Sequence, residues 1–365
     1  MALFGNKTVI GLDIGSAMVK AVELEPHGGS YRLRAFGFAP LPPEAIVQGS
    51  FMNAPAISAA ISEACSMGSF KSKDVVTSVS GHSVIVKRIA LPAQSKEELE
   101  ETIRWEAEQY IPFDINEVNI DHQILREVGI DGQMDVLLVA AKKDLIDDYQ
   151  SVITESGLSL VVMDVDAFAV GNMYQHNYEP ADDTTVALLD LGASVINMNV
   201  MQGSVPVFTR DITSGGNQYT EEIQKTLGIT FEEAERIKIG GKPGETSKDV
   251  VPQEVEEAMR EVSETMLGEI QRSLDFYRAT AASSRIERIL LCGGAARVPG
   301  LDRIFHSKLE IAVDIVDPFT RVEIASSAGD EDRLRELGPS LCTAIGLGMR
   351  PVSYTHLTLP TNREV

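Results

Sequence analysis

Three short stretches of this 365-residue sequence set carboxylates, hydroxyls and glycines at the ends of apolar runs. In the first, Asp13-Ile14-Gly15-Ser16, Gly15 and Ser16 can offer backbone N–H groups and a hydroxyl to phosphate oxygens. Asp13 stands where a strand end can hold a hydrated Mg²⁺. Lys20 falls on the returning run Met18–Leu24, where the two-residue alternation of a strand can aim it back at the turn. The second stretch, Asp190-Leu191-Gly192-Ala193-Ser194, has the same form. The third, Gly293-Gly294-Ala295-Ala296-Arg297, lacks the side chains that would block a flat ring. One Asp-x-Gly turn is ordinary hairpin chemistry. Two of them followed by a Gly-Gly turn would grip phosphate from both sides and leave a slot for a nucleoside.

Other chemistries lack carriers. No Gly-x-x-x-x-Gly-Lys-Ser/Thr loop occurs, and the run Gly241–Ser247 lacks its glycine spacing. His-Glu-x-x-His and Gly-x-Ser-x-Gly are absent and the 6 histidines are scattered, so metalloproteases and hydrolytic triads find no support. Strand-like rather than helix-like sequence follows Gly15, which disfavours a dinucleotide-binding fold. No residue stands out as a general base. Asp164 and Asp166 are candidates for orienting a water, with helix capping as the ordinary role for carboxylates there.

The elements that must position these turns can be read from periodicity. Thr8–Asp13 and Met18–Leu24 form a hairpin, and Tyr31–Phe38 can add a third antiparallel strand. Ala54–Met67 reads as a helix and Asp74–Val79 as a buried strand. Val84–Leu91 is a strand, and Ser95 with Glu98 is a capping box opening a helix. That helix carries Leu99, Ile103, Ala107 and Tyr110 on one stripe and stops before Pro112. Strands Val118–Val128 and Met134–Ala141, joined through 129–132, and a helix Leu145–Glu155 complete a βαββα piece. Leu160–Asp164 returns to a buried strand. Thr184–Gly192 opens a second half that resembles the first in kind, an internal echo predicting two related lobes. Gly215-Gly216 leads a helix ending near Gly228, and Thr230 with Glu233 caps another ending at Gly240-Gly241. Pro252 suits the first turn of a long helix with a stripe of Val255, Met259, Val262, Met266, Ile270, Leu274 and Tyr277. Arg288–Cys292 is a strand that runs into the third turn.

Composition narrows the partners. Against 54 acidic residues stand 32 Lys and Arg, a formal charge of −22. That argues against a general nucleic-acid binder and against unaided docking on anionic lipid. No run of about 18 apolar residues is present, and the opening residues do not read as a secretory signal. Cys65, Cys292 and Cys342 are too far apart to suggest a disulfide framework or a zinc site; they read as small buried hydrophobes in a reducing cytoplasm. Ser353–Val365 resembles translated vector sequence and is set aside.

Asp13–Lys20, Asp190–Ser194 and Leu291–Ala295 resemble the phosphate 1, phosphate 2 and adenosine motifs of the actin-like ATPase superfamily. The βαββα piece resembles the relocated subdomain of its FtsA branch. Trp105–Phe113 and the opening Leu3–Ser16 resemble the PilM family of type IV pilus assembly proteins. The resemblance implies an α/β, two-lobed actin-like ATPase fold, with duplicated ribonuclease-H-like subdomains and an FtsA-like insert. Its division would be 1–83 with 160–183 as subdomain 1A, 84–159 as 1C, 184–214 with 287–351 as 2A, 215–286 as 2B, and a non-native tail at 352–365.

The same resemblance implies ATP between the lobes. Asp13 and Asp190 would organise Mg²⁺ through water, with Ser16 and Lys20 on the β- and γ-phosphates. Gly15, Gly192, Ala193 and Ser194 would complete the two phosphate turns. Gly215 and Gly216 would approach ribose and phosphates at a helix N-terminus. Glu235 and Lys238 would contact the adenosine, although a solvated helix face is the plain alternative. Gly293, Gly294 and Arg297 would line the base. Ala193 and Ser194 stand where the superfamily has glycine and threonine, which predicts slow hydrolysis at most.

The implied function is a cytoplasmic scaffold of the pilus or of the related type II secretion machinery. It would reach the inner membrane through the cytoplasmic N-terminus of a PilN-type protein, with other assembly proteins and self-association as further contacts. The alternatives are a small-molecule kinase or an FtsA-like filament former on the same fold. Trp105 and Glu106 are the candidate partner site. Trp105 points away from the apolar stripe, while Glu106 falls inside it, where an unpaired carboxylate is costly. Either Glu106 pairs with a nearby Lys or Arg and Trp105 packs on a neighbouring subdomain, or the helix borders a peptide groove.

Overall fold

The computed structural model describes residues 8–129, 132–239, 253–280 and 285–350. The opening Leu3–Lys7, the middle of the turn at 129–132, Gly240-Gly241, Pro252 and the tail lie outside the described residues.

The opening hairpin is β1 (Ile10–Ile14) and β2 (Met18–His27), in a register that sets Asp13 opposite Lys20. β3 (Ser30–Pro40) extends it antiparallel. A small hairpin, β4 (Ile46–Val47) and β5 (Ser50–Phe51), precedes α1 (Ala54–Met67), whose first turn is capped by the Asn53 side chain. β6 (Asp74–Val79) lies parallel to β1. The predicted βαββα piece follows as β7 (Val84–Pro92), α2 (Lys96–Glu108), β8 (Val118–Arg126), β9 (Gln133–Lys142) and α3 (Lys143–Glu155). β10 (Ser159–Val165) returns beside β6, and α4 (Asp166–Tyr178) crosses to the second half.

There a meander of β11 (Thr185–Leu191), β12 (Ile196–Gln202) and β13 (Val205–Ile212) leads to α5 (Asn217–Leu227), α6 (Phe231–Lys238) and α7 (Gln253–Thr280). β14 (Arg288–Cys292), α8 (Leu301–Leu309), β15 (Ala312–Ile315), β16 (Val322–Ile324), α9 (Glu331–Leu337) and α10 (Cys342–Gly348) complete the chain.

The two large sheets repeat one plan. One runs β10-β6-β1-β2-β3-β16 and the other β13-β12-β11-β14-β15. In each, a three-strand antiparallel meander is extended by two parallel strands. This duplication is what the repeated Asp-x-Gly turns foreshadow. α4 and α10 lie against each other and share one core with both sheets, including Val22, Leu24, Val170, Leu188, Leu290 and Ile345. Gly346 permits the approach, because a Cβ there would collide with the Ala169 carbonyl.

The third sheet, β7-β9-β8, is small. Its α2 face packs Leu99, Ile103 and Ala107 on Ile89, Met134, Val136 and Leu138. The capping box of Ser95 and Glu98 forms as predicted. The helix ends at Glu108, so Tyr110 lies beyond the stripe assigned to it. β9 is buried on both faces, as its unbroken apolar run requires. Its other face sends Leu137, Val139 and Ala141 into the core of the first large sheet. α3 buries Leu145, Ile146, Tyr149, Val152 and Ile153 in that same core. The sequence grouped α3 with the insert; its packing ties it to the first lobe. No helix among the described residues is long and apolar enough to cross a membrane.

Candidate functional site

The first turn is closed by the Gly15 N–H donating to the Met18 carbonyl at 3.2 Å. Lys20, brought opposite Asp13 by the hairpin register, donates from Nζ to Asp13 Oδ2 at 2.6 Å. Burial alone would lower the Lys20 pKa. Asp13 chiefly, with Asp190 and Asp166, carries it above the ordinary lysine value instead. Lys20 is thus a fixed cation among carboxylates from three strand ends.

The second turn mirrors the first. Asp190 lies near the end of β11 and accepts a hydrogen bond from Thr343 Oγ1 of α10 at 2.8 Å. The Gly192 N–H donates to the Val195 carbonyl at 3.0 Å. The N-terminus of α5 meets this turn differently from the expectation. The Gly216 and Asn217 N–H groups donate to the Gly192 and Ala193 carbonyls at 2.9 and 2.8 Å. These donors brace the second turn rather than standing free for phosphate. Gly216 still lines the cleft, whereas Gly215 packs behind it against Ala193.

The third turn borders the same cleft. Gly293 has φ +86°, and a Cβ there would collide with Asp190 Oδ1 and the Leu191 carbonyl, so glycine is required. Gly294 and Arg297 line the cleft, and Arg297 pairs with Glu336 of α9 at 2.6 Å. Across from them Lys238, only 6% exposed, pairs with Glu235. Lys238 also donates to Thr220 Oγ1 at 3.0 Å and to the Gly216 carbonyl at 3.3 Å. Thr220 donates in turn to Glu235 at 2.5 Å. A solvated helix face is therefore excluded for this pair. Burial lowers the Lys238 pKa, against the opposing pull of Glu235.

These residues enclose a cleft of about 290 Å³. Except for Gly215, every residue assigned to the nucleotide lines it, together with residues the sequence did not single out: Gln48, Ser78, Ser80, Tyr149, Asn197 and Thr343. Asp166 is there as well, and not as a helix cap, since α4 has no side-chain cap. It accepts from Ser78 Oγ at 2.5 Å. Burial, then the Asp13 charge, pushes its carboxyl up to about 7 despite Ser78 and Ser80. Burial and Asp13 likewise raise Asp190 to about 6, against Thr343 and Lys20. Asp164 does not face the cleft. It is buried against Arg350, whose Nε lies 2.8 Å from its Oδ2.

The cleft carries more negative charge than Lys20 alone offsets, which suits a divalent cation. Among the described residues no three His, Cys, Asp or Glu side chains converge to cage an ion. An ion here would keep waters and lean on phosphate oxygens, as Mg²⁺ prefers. Asp13 and Asp190 both line the cleft.

Trp105 and Glu106 lie away from this cleft, on α2 over the small sheet. Trp105 is 79% exposed, so it does not pack on a neighbouring subdomain. Glu106 is half-buried; among the described residues it accepts from Gln109 Nε2 at 3.5 Å and pairs with no Lys or Arg.

Comparisons with known proteins agree with this architecture. A solved PilM-PilN type IV pilus biogenesis complex superposes with a TM-score of 0.82 at 28% identity, covering 95% of this chain and 99% of that one. Cell division protein FtsA of Bacillus subtilis (strain 168) is 23% identical over 390 residues, covering 94% of this chain and 83% of the relative. MreB5 of Spiroplasma citri bound to ADP shares the fold, with a TM-score of 0.50 at 13% identity, covering 94% of this chain and 95% of that one. The sequence model of the family described as type IV pilus assembly protein PilM matches residues 11–352, and the chain belongs to that family.

Proposed function

We propose that this protein binds Mg-ATP between its lobes and uses the nucleotide to set its grip on the cytoplasmic N-terminus of a PilN-type inner-membrane protein. The observation that carries the reading is the convergence of three distant turns on one cleft, with Lys20 fixed among Asp13, Asp166 and Asp190. The partner follows from family membership and from the solved PilM-PilN complex. Attachment at the inner membrane would come through that partner, with the chain itself on the cytoplasmic side.

In this reading Lys20 and Ser16 bind the β- and γ-phosphates, Ser194 faces them from the second lobe, and Asp13 and Asp190 orient the waters of Mg²⁺. Bound Mg²⁺ would screen the phosphate charge. Gly293, Gly294 and Arg297 border the base, and Glu235 with Lys238 borders the ribose side. Asp166 can orient a water and take its proton, because its pKa sits near neutrality. Ala193 and Ser194 crowd the second turn, so turnover stays well below the ~10 s⁻¹ of ordinary enzymes. The subdomain division 1A, 1C, 2A and 2B is proposed on the sheet plan, with α3 bridging 1C and 1A.

The partner site is placed at Trp105 and Glu106. An exposed tryptophan on an acidic helix suits an apolar anchor with a basic flank on the partner. The test is calorimetry with Mg-ATP, followed by titration of a PilN-type N-terminal peptide with and without nucleotide, and a phosphate-release assay. Nucleotide binding, peptide binding that changes with nucleotide, and slow release support the reading. A folded chain that binds neither ligand overturns it.

A further inference from the structure

The geometry points to Tyr149 as the residue that reads the terminal phosphate of the bound nucleotide and passes its presence to the small β7-β9-β8 sheet. This rests on the proposal that the cleft holds a nucleotide.

Tyr149 is only 7% exposed and lines the cleft, yet its hydroxyl has no hydrogen-bond partner among the described residues. Tyr219, another deeply buried tyrosine, shares a hydrogen bond with Ser263 at 2.8 Å. The Tyr149 hydroxyl is not among the fully buried polar atoms that lack a partner, so it opens to the cleft, where water or a ligand can take its hydrogen bond. The ring itself is well used, since it packs on Phe51 with centroids 4.6 Å apart. Phenylalanine would fill that space equally well. The hydroxyl therefore serves something that enters the cleft.

Its position selects which part of a nucleotide that is. Tyr149 shares the cleft with Asp13, whose turn is proposed to hold phosphate and its cation, and with Asp166. Burial first, then these charges, hold the phenol protonated far above neutral pH. A neutral donor in the same cleft as these two carboxylates suits a phosphate oxygen at the end of the chain.

Tyr149 is also placed to transmit the contact. α3 begins at Lys143, directly after Lys142, the last residue of β9, with no connecting loop. Tyr149 stands about 9 Å along the helix from that junction. β9 is the central strand of the small sheet. On its other side Tyr149 touches Phe51 of the β4-β5 hairpin, whose Gln48 and Gly49 also line the cleft. A phosphate bonded to this hydroxyl would fix the hairpin, α3 and the small sheet in one arrangement.

The test compares the full chain with Tyr149→Phe, using Mg-ADP and a non-hydrolysable Mg-ATP analogue in calorimetry. The variant should lose about tenfold in affinity for the triphosphate and keep its affinity for the diphosphate. Hydrogen exchange in β8 and β9 should slow with triphosphate in the parent and not in the variant. Thermal melting checks that the variant is folded. Unchanged triphosphate affinity in the folded variant overturns the assignment, and so does an equal loss for both nucleotides, which would make Tyr149 only a wall of the cleft. A parent that binds neither nucleotide fails the broader reading instead, so the two failures are told apart.

Discussion

Ser16 donates a hydrogen bond to Ser194 across the cleft at 2.9 Å, although 178 residues separate them in the chain. One hydroxyl belongs to the turn after β1 and the other to the turn after β11, so the two phosphate-type turns meet face to face. Asn217 Nδ2 adds a longer contact to Ser194 Oγ at 3.4 Å. A phosphate placed between these turns can take over both hydroxyls at once, joining one lobe to the other.

Lys20 should carry much of the phosphate affinity. Charge-assisted hydrogen bonds contribute roughly 1.5–3 kcal/mol. Lys20→Ala should then weaken Mg-ATP by roughly tenfold to a hundredfold in calorimetry. Equal affinity in parent and variant would remove Lys20 from the phosphate site.

Asp166 makes stability depend on pH. Its carboxyl titrates near 7 in the folded chain against 3.8 for an ordinary aspartate. Between those values the folded state keeps a proton that the unfolded chain has released, so stability falls as pH rises. The cost is fully present above about pH 7. Asp166→Asn should melt like the parent near pH 4 and be more stable at pH 8, by roughly 2–4 kcal/mol, without nucleotide or metal. A gap between the two melting curves that stays constant from pH 4 to 8 contradicts this.

Glu235 offsets a buried charge. Glu235→Ala leaves Lys238 in its pocket without a carboxylate, a loss below that of a fully buried pair because the Glu235 side chain is 33% exposed. We expect about 2 kcal/mol in urea unfolding. Lys238→Met, which removes the buried charge itself, should cost less. The opposite order would show that the Lys238 stem, not the pair, holds α6 in place.

Trp105 should separate binding from folding. It is so exposed that Trp105→Ala should change stability by no more than about 0.5 kcal/mol. Affinity for a PilN-type N-terminal peptide should fall by roughly 2 kcal/mol or more, with a salt-sensitive association. Full peptide affinity in the folded variant would leave α2 a purely structural role.

What the sequence determined by itself was local. The Asp13–Lys20 hairpin, the capping boxes of Ser95 with Glu98 and Thr230 with Glu233, and the strand-to-glycine turns were all legible in it. Each is made within a few residues, where backbone geometry and side-chain reach decide the outcome. The duplicated plan was legible too, because the same apolar strand and Asp-x-Gly turn recur. Tertiary structure alone decided the rest. Thr343 and Tyr149 reach the cleft from α10 and α3, and their own surroundings in sequence carry no mark of it; of the candidate pair Asp164 and Asp166, only Asp166 lines the cleft. Glu235 and Lys238 follow a charged helical pattern, yet they are drawn inward because α6 lies over Thr220 and Gly216. The N–H groups of Gly216 and Asn217 look free at a helix start but are taken by Gly192 and Ala193. The cleft is the gap between two packed sheets, so burial, charge and hydrogen-bond partners at its walls exist only once distant segments come together.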